Sequence, residues 1–313
     1  MPINTGQISS LLATGLRNVM FQAYNEQPPE YSRVLSVKTS KKNYEEDLEF
    51  VGLGTMPQKP EGVGVIYADP KQGEIVRLTP TSFGAGFRIT REAKDDDLYN
   101  IVKPQRMAKE LGKGARNVRE VRSANVFNNA FTTTGGFPKA GTSQTLAAFA
   151  AIVGGGSTSH TLIGAGGGTF QNGALADLAQ ASLEAAIVNF MQLVDENSIP
   201  IVVVPKTLLV TPTDVMVARE LLGSEYKPYT QNNEINPTRV DKLSLEVNHY
   251  LTDADSWFVL ADKSDHTLQM IVRTDLEFEY GDDFDTGDTK VKAFQRFYTG
   301  WTDWRGVYCG QGA

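Results

Sequence analysis

Three histidines and one cysteine are the residues best suited to metal or nucleophilic chemistry, and their spacing supports neither. His160, His249 and His266 stand singly, and Cys309 is alone, so neither a cysteine zinc site nor an intrachain disulfide can form. Glu246 precedes His249 by three residues, a spacing that on a strand turns the two side chains to opposite faces. The runs Gly154-Gly155-Gly156 and Gly164-Ala165-Gly166-Gly167-Gly168 lack both the Gly-Lys-Ser/Thr ending of a phosphate loop and the G-x-G-x-x-G spacing of a dinucleotide fold, so they read as loops. No G-x-S-x-G elbow occurs. Asp282, Asp283, Asp285 and Asp288 offer oxygen ligands for Ca²⁺. Without the alternation and terminal glutamate of an EF-hand loop, they read as a solvated turn. The residues nominate no catalytic group, no cofactor and no metal site, which favours a structural protein.

The charged pattern with the longest reach is basic. Lys103, Arg106, Lys109, Lys113, Arg116, Arg119 and Arg122, interrupted only by Glu110 and Glu120, wind along a helical pattern spanning 94–131. From Pro104 to Phe131 that spine would extend roughly 42 Å. Pro104 suits its first turn, and Asp95, Asp96 and Asp97 suit the start of a turn before it. A thin apolar stripe runs through Ala108, Leu111, Ala115 and Val118, then Val121 or Ala124, to Phe127 and Phe131. Gly112 and Gly114 sit near the middle, where a helix can bend. The basic face is either solvated or in contact with polyphosphate or an acidic neighbour. A net charge of −7 argues against a dedicated nucleic-acid binder and leaves this face as the only candidate. No run approaches the ~20 apolar residues needed to span a bilayer and no signal-peptide pattern opens the chain, so a soluble protein without a membrane partner is expected.

Around the spine, 313 residues suffice for two domains. Ile8, Leu11, Leu12, Leu16, Val19 and Met20 give an amphipathic helix over 7–24, ended by Gln27-Pro28-Pro29, after which the chain should run extended to Val34 and Leu35. This helix can dock on its own core, the favoured reading, or on a neighbour. Strand patterns at 63–68 and 74–79, joined by Asp69-Pro70-Lys71-Gln72-Gly73, predict a hairpin too poor in apolar residues for a core of its own. It either reaches a partner surface or folds back on its own domain. Beyond the glycine-rich 132–168 come a helix at 174–194, a buried strand at 200–205, and 208–210 continuing that sheet or starting another strand. A helix capped by Thr213-Asp214 then runs to Leu222 and stops at Gly223. Strands follow at 243–251, 257–261, 268–273, 276–280, 291–298 and 301–308. Phe297, Trp301 and Trp304 read as core or interface aromatics. The class is α+β.

This order of parts, together with FGAGFRITREAKDDDLYNIV at 83–102, the stretch 159–173, PIVVVPKTLLVTPTDVMVAREL at 200–221 and TGWTDWRGVY at 299–308, resembles the major capsid protein of tailed phages, the Hong Kong 97-type capsid fold. More narrowly it looks like the Mu-like prophage major head subunit. The likeness spans nearly the whole chain and rests on order and spacing. It implies an N-terminal arm (1–33), an extended loop with its base (34–90), a peripheral domain carrying the spine (91–131 and 268–298) and an axial domain (132–267 and 299–313). The extended loop would reach over a neighbouring subunit, with Val65, Ile66, Ile75 and Leu78 as its contacts. Hexamers and pentamers would tile an icosahedral shell around non-specifically held double-stranded DNA, assembled in the host cytoplasm, with a portal protein at one vertex. A decoration protein is left open. Because the arm begins almost at Met1, a separate scaffolding protein is expected. In such shells the spine straightens on expansion, which assigns Gly112 and Gly114 to a bend. The contending reading is an encapsulin-like compartment of the same fold enclosing a cargo enzyme.

Overall fold

The computed structural model describes residues 5–51, 54–65, 67, 71–96, 103–130, 169–228, 234–239 and 243–312, with five two-residue strands between 137 and 161. The chain begins with α1 (Thr5–Tyr24), α2 (Tyr31–Val34), β1 (Ser36–Thr39), β2 (Glu45–Val51), β3 (Lys71–Leu78), β4 (Thr81–Ile89), α3 (Arg91–Asp95) and α4 (Pro104–Asn128). Short ladders follow: β5 (Phe137–Pro138) with β6 (Thr145–Leu146), β7 (Ile152–Val153) with β8 (Gly156–Ser157), and β9 (His160–Thr161) with β10 (Thr169–Phe170). The remainder is β11 (Gly173–Ala174), α5 (Gln180–Met191), β12 (Pro205–Val210), α6 (Val215–Gly223), β13 (Ser244–Val247), β14 (Trp257–Ala261), β15 (Gln269–Asp282), β16 (Thr289–Gly300) and β17 (Val307–Gly310).

Two sheets carry the chain. One is ordered β1-β15-β16-β4 and the other β11-β17-β14-β12-β13. Along β16 the buried residues Val291, Ala293, Gln295 and Phe297 alternate with more exposed ones, the period-two signature of a sheet covered on one face. The cover is α4 with α1 laid on it: Leu16 and Met20 of α1, Ala108 of α4, and Leu276, Val291 and Ala293 of the sheet form one apolar cluster. In the second sheet every residue of β14 is buried, as its central position demands, and Trp257 and Phe258 pack in the larger cluster with Phe127 of α4 and Phe190 of α5. The spine thus begins on one cluster and ends in the other.

Pro104 occupies the first turn of α4, whose missing N–H costs nothing there. The apolar stripe passes through Ala124, fully buried, and not through Val121, which is 43% exposed. The helix stops at Asn128, short of the expected end. The N-terminal helix docks on its own subunit, but after Pro29 the chain forms the short turn of α2 before extending. Asp95 and Asp96 lie at the end of α3, which is capped by the Thr90 hydroxyl accepting the Ala93 N–H, so they do not start a turn.

Other expectations are corrected by pairing partners that a local pattern does not contain. The strand opposite β3 is β2, in register from Glu45↔Leu78 to Val51↔Lys71, and 63–65 lie outside any ladder. Ala174 is taken up by parallel pairing with Gly310, so α5 starts only at Gln180, with the Ala179 N–H donating to Ser182 Oγ at 2.8 Å. Residues 201–204 precede the sheet: Ile201 and Val203 lean on the core, while Val202 and Val204 are 94% and 63% exposed. The sheet begins at Pro205. The expected strands at 268–273 and 276–280 are one strand, β15, with irregular register between Val272 and Glu277. The expected strand at 301–308 starts only at Val307; Trp301 and Trp304 are buried in the loop before it.

Candidate assembly surfaces

The loop between β2 and β3 is anchored at its base by polar contacts. Ser40 Oγ donates a short hydrogen bond to Glu45, Lys42 Nζ lies 3.0 Å from the same carboxylate, and Arg77 both pairs with Glu46 at 2.5 Å and covers the Tyr44 ring at 4.5 Å. The Ser40 hydroxyl, then Lys42, hold the Glu45 carboxyl below the usual carboxylate range. Of the loop residues expected to make contacts, Val65 is 63% exposed and Ile75 is half-buried opposite Leu48, itself 49% exposed. Ile66 lies outside the described residues. Leu78 is a correction: at 1% exposure it is spent within its own subunit, because β3 enters the body of the protein there. Met56, Val63 and Tyr67, none of them among the expected contacts, are also exposed. Among the described residues, none between 36 and 82 belongs to either apolar cluster.

The seven basic residues do not share one face. At ~100° per residue, Lys103, Arg106, Lys109 and Lys113 fall within about 60° of Arg106, whereas Arg119 lies roughly opposite it. Lys103 and Arg106 are exposed, without a salt bridge among the described residues; Lys109 approaches Glu26 at 3.8 Å and Lys113 approaches Glu110 at 3.6 Å. Arg116 is half-buried with Nη1 unpartnered among the described residues, and the exposed Arg122 has its guanidinium over the Phe83 ring at 5.3 Å. Arg119 is the correction. Only 5% exposed, it donates to Gln295 Oε1 at 2.8 Å and to Asp275 Oδ1 at 2.6 Å, with the Tyr24 and Phe297 rings 5.6 and 5.7 Å from its guanidinium. Burial pulls the Asp275 carboxyl up, but the hydrogen bonds it accepts from Arg119 and from the Leu276 N–H, together with the Arg119 charge, outweigh it and leave the group below its ordinary value. Its neighbour Glu120, also buried, accepts the backbone N–H groups of Glu30 and Tyr31 at 2.9 and 3.1 Å, tying the chain after α1 to the spine. Burial raises the Glu120 pKa against these hydrogen bonds.

Gly112 has a packing reason. A Cβ there would overlap the Met20 carbonyl oxygen, so glycine lets the backbone of α1 lie directly on α4. Gly114 faces open space.

The acidic turn between β15 and β16 spends most of its carboxylates on itself. Asp283 pairs with Lys290, Asp288 lies 3.4 Å from Arg88, and Asp282 accepts the Thr289 hydroxyl at 3.0 Å. His249 Nδ1 lies 2.7 Å from Glu30, and buried His266, its pKa lowered by burial, accepts the Leu268 N–H. Burial holds the Cys309 thiol well above the thiol range. Among the described residues no group of three or more His, Cys, Asp or Glu is placed to hold a metal ion.

A family model described as phage capsid protein matches residues 73–310. No curated protein matches the chain. Solved capsid structures share its fold at low identity. The asymmetric unit of the bacteriophage PhiM1 mature capsid is 10% identical, with 92% of this chain and 88% of that chain covered at a TM-score of 0.55. The capsid of the native GTA particle is 12% identical, with 91% and 90% covered at 0.53. The capsid of Myoviridae phage XM1 is 11% identical, with 88% and 90% covered at 0.52.

Proposed function

Since the chain belongs to the phage capsid protein family, we infer that its work is mechanical: it is a major capsid protein of the Hong Kong 97-like fold, and its copies associate into the shell of a virion. The family match across 73–310 carries this reading and weighs for a phage head over an encapsulin-like compartment. Within it we assign the chain to the Mu-like head subunits, on the order of its motifs.

The finer assignments are proposals. The β1-β15-β16-β4 sheet under α4 serves as the peripheral domain and the β14-centred sheet as the axial domain, packed round the axes of hexamers and pentamers. The β2–β3 loop reaches over a neighbour, which its unspent apolar side chains support: burying them between copies contributes ~25 cal/mol per Å². Lys103 and Arg106, exposed on the first turn of the spine, are free to meet an acidic partner or DNA phosphates. Portal, scaffolding and decoration proteins would complete the particle, assembled in the host cytoplasm around double-stranded DNA, with no catalytic step supplied by this chain.

Electron microscopy of the purified protein, across a range of concentration and salt, tests the central reading. Closed shells of uniform diameter are expected. A protein that stays monomeric under all these conditions, and with a scaffolding partner, would overturn it.

A further inference from the structure

The tip of the β15–β16 hairpin carries the most exposed large apolar residue of the described chain. Phe284 is 100% exposed, in a turn held by hydrogen bonds from the Asp283 N–H to Asp288 O and from the Gly287 N–H to Asp283 O, each 2.8 Å. The braced turn leaves its backbone little freedom to lose on docking, while the ring keeps its full apolar surface in water. The turn is also acidic. Of its four aspartates, Asp283 pairs with Lys290 and Asp288 with Arg88, the Arg91 side chain lies against Gly287, and the Asp285 side chain forms no salt bridge among the described residues.

A complementary surface lies at the same end of the subunit. Ala108 and Leu111 of α4 pack with Val291, Phe278 and Tyr280 of the hairpin, so the first turns of the spine lie over the tip half of β15 and β16. Met107, 39% exposed, sits there next to Arg106 and one turn after Lys103, two exposed basic residues without a salt bridge among the described residues. One subunit thus presents an apolar residue framed by acids and another framed by bases. That arrangement is self-complementary: two copies meeting at this end would exchange both contacts.

We propose that Phe284 docks against Met107 of a second copy, with Asp285 facing Lys103 and Arg106, as a contact between subunits of the shell. The assignment rests on the shell-forming function inferred above. It places the charge of the spine's first turn against protein, not against packaged DNA.

Cysteine cross-linking tests the contact. Cys309 is fully buried and leaves the background clean. In the double variant Phe284→Cys with Met107→Cys, a short bis-maleimide should produce covalently linked chains in assembled shells, and none in unassembled subunits or in either single variant. A charge exchange supplies the second arm. Asp285→Lys should raise the subunit concentration needed for assembly about tenfold, as a contact weakened by ~1.4 kcal/mol requires, and adding Arg106→Asp should bring it back. Shells from the unaltered protein, combined with no cross-link and no effect of the charge exchange, would sink the docking contact alone; no shells from the unaltered protein would sink the capsid reading itself.

Discussion

Among the spine's cations, Arg119 differs from Arg106 by what surrounds it. Its guanidinium is buried among Gln295, Asp275, Tyr24 and Phe297, whereas Arg106 points to solvent. Arg119→Met would strand the Gln295 oxygen in the core and remove two charge-assisted hydrogen bonds, for a cost of about 2–3 kcal/mol. Arg106→Met should stay within ~0.5 kcal/mol, as surface changes do. Urea unfolding of the two variants checks the contrast; equal effects would mean that the basic residues are equivalent after all. The partner carboxylate adds a pH signature. The Asp275 pKa is depressed in the folded chain, so its stabilisation is present above the unfolded value of about 3.9 and is lost as pH falls through the lower folded value. Its side chain is 80% exposed, and screening holds the contribution to about 0.5 kcal/mol. The stability gap between the protein and its Asp275→Asn variant should therefore be present at pH 7 and close as pH drops below about 4. A gap constant over that range would show that the charge is not what Arg119 recognises.

At the level of elements, the seating of α1 on α4 turns on one missing side chain. Gly112→Ala puts a methyl into the Met20 carbonyl, lifting α1 and parting Leu16 and Met20 from Ala108, at a cost of about 1–3 kcal/mol. Gly114→Ala, in open space, should instead raise stability by about 1 kcal/mol, the helix-propensity difference. Thermal melts of the two variants should move in opposite directions. If the spine bends at Gly114 while a shell matures, that stabilised variant should also assemble yet expand poorly. The pair also shows what a sequence reveals of such an element. The 3.6 period of α1 and α4, Pro104 at a helix start, and Asp214 and Gly223 bounding α6 are written locally, and those elements were legible. What occupies the space above a residue is not written locally. Gly112 reads from sequence only as a place to bend, because its packing reason, the Met20 carbonyl, lies 92 positions away. Arg119 looked like one more solvent-facing base because its partners Asp275 and Gln295 come from the last two long strands. β2 escaped because Glu45, Glu46 and Asp47 give it little apolar alternation, and its pairing with β3 spans the whole loop. The exposed valines at 202 and 204 carry a core-like pattern for a related reason: a run of apolar residues states hydrophobicity, not depth.

For the whole molecule, the informative asymmetry is between what holds a subunit together and what is left over. Both apolar clusters are built without any described residue between 36 and 82, while the same stretch exposes Leu48, Met56, Val63, Val65 and Tyr67. Apolar surface that no part of the subunit covers favours whatever brings a second surface to it, and a shell of many copies supplies one for each loop. The stability of the subunit and the stability of the shell should then be separable by surgery on the loop alone. Replacing 52–70 with a short Gly-Ser turn removes no described member of either cluster and leaves the anchors Ser40–Glu45 and Glu46–Arg77 in place. The truncated subunit should melt within about 2 °C of the full chain, a shift that for a protein of this size corresponds to less than ~1 kcal/mol. It should also fail to form shells at concentrations where the full chain assembles. The milder double variant Val65→Asp with Ile75→Asp, which keeps the loop's length, should show the same split. If truncated subunits close into normal particles, the loop carries no assembly energy and the contacts must lie elsewhere. If they lose their fold, the loop is part of the subunit's own core, and its exposed side chains need a different explanation.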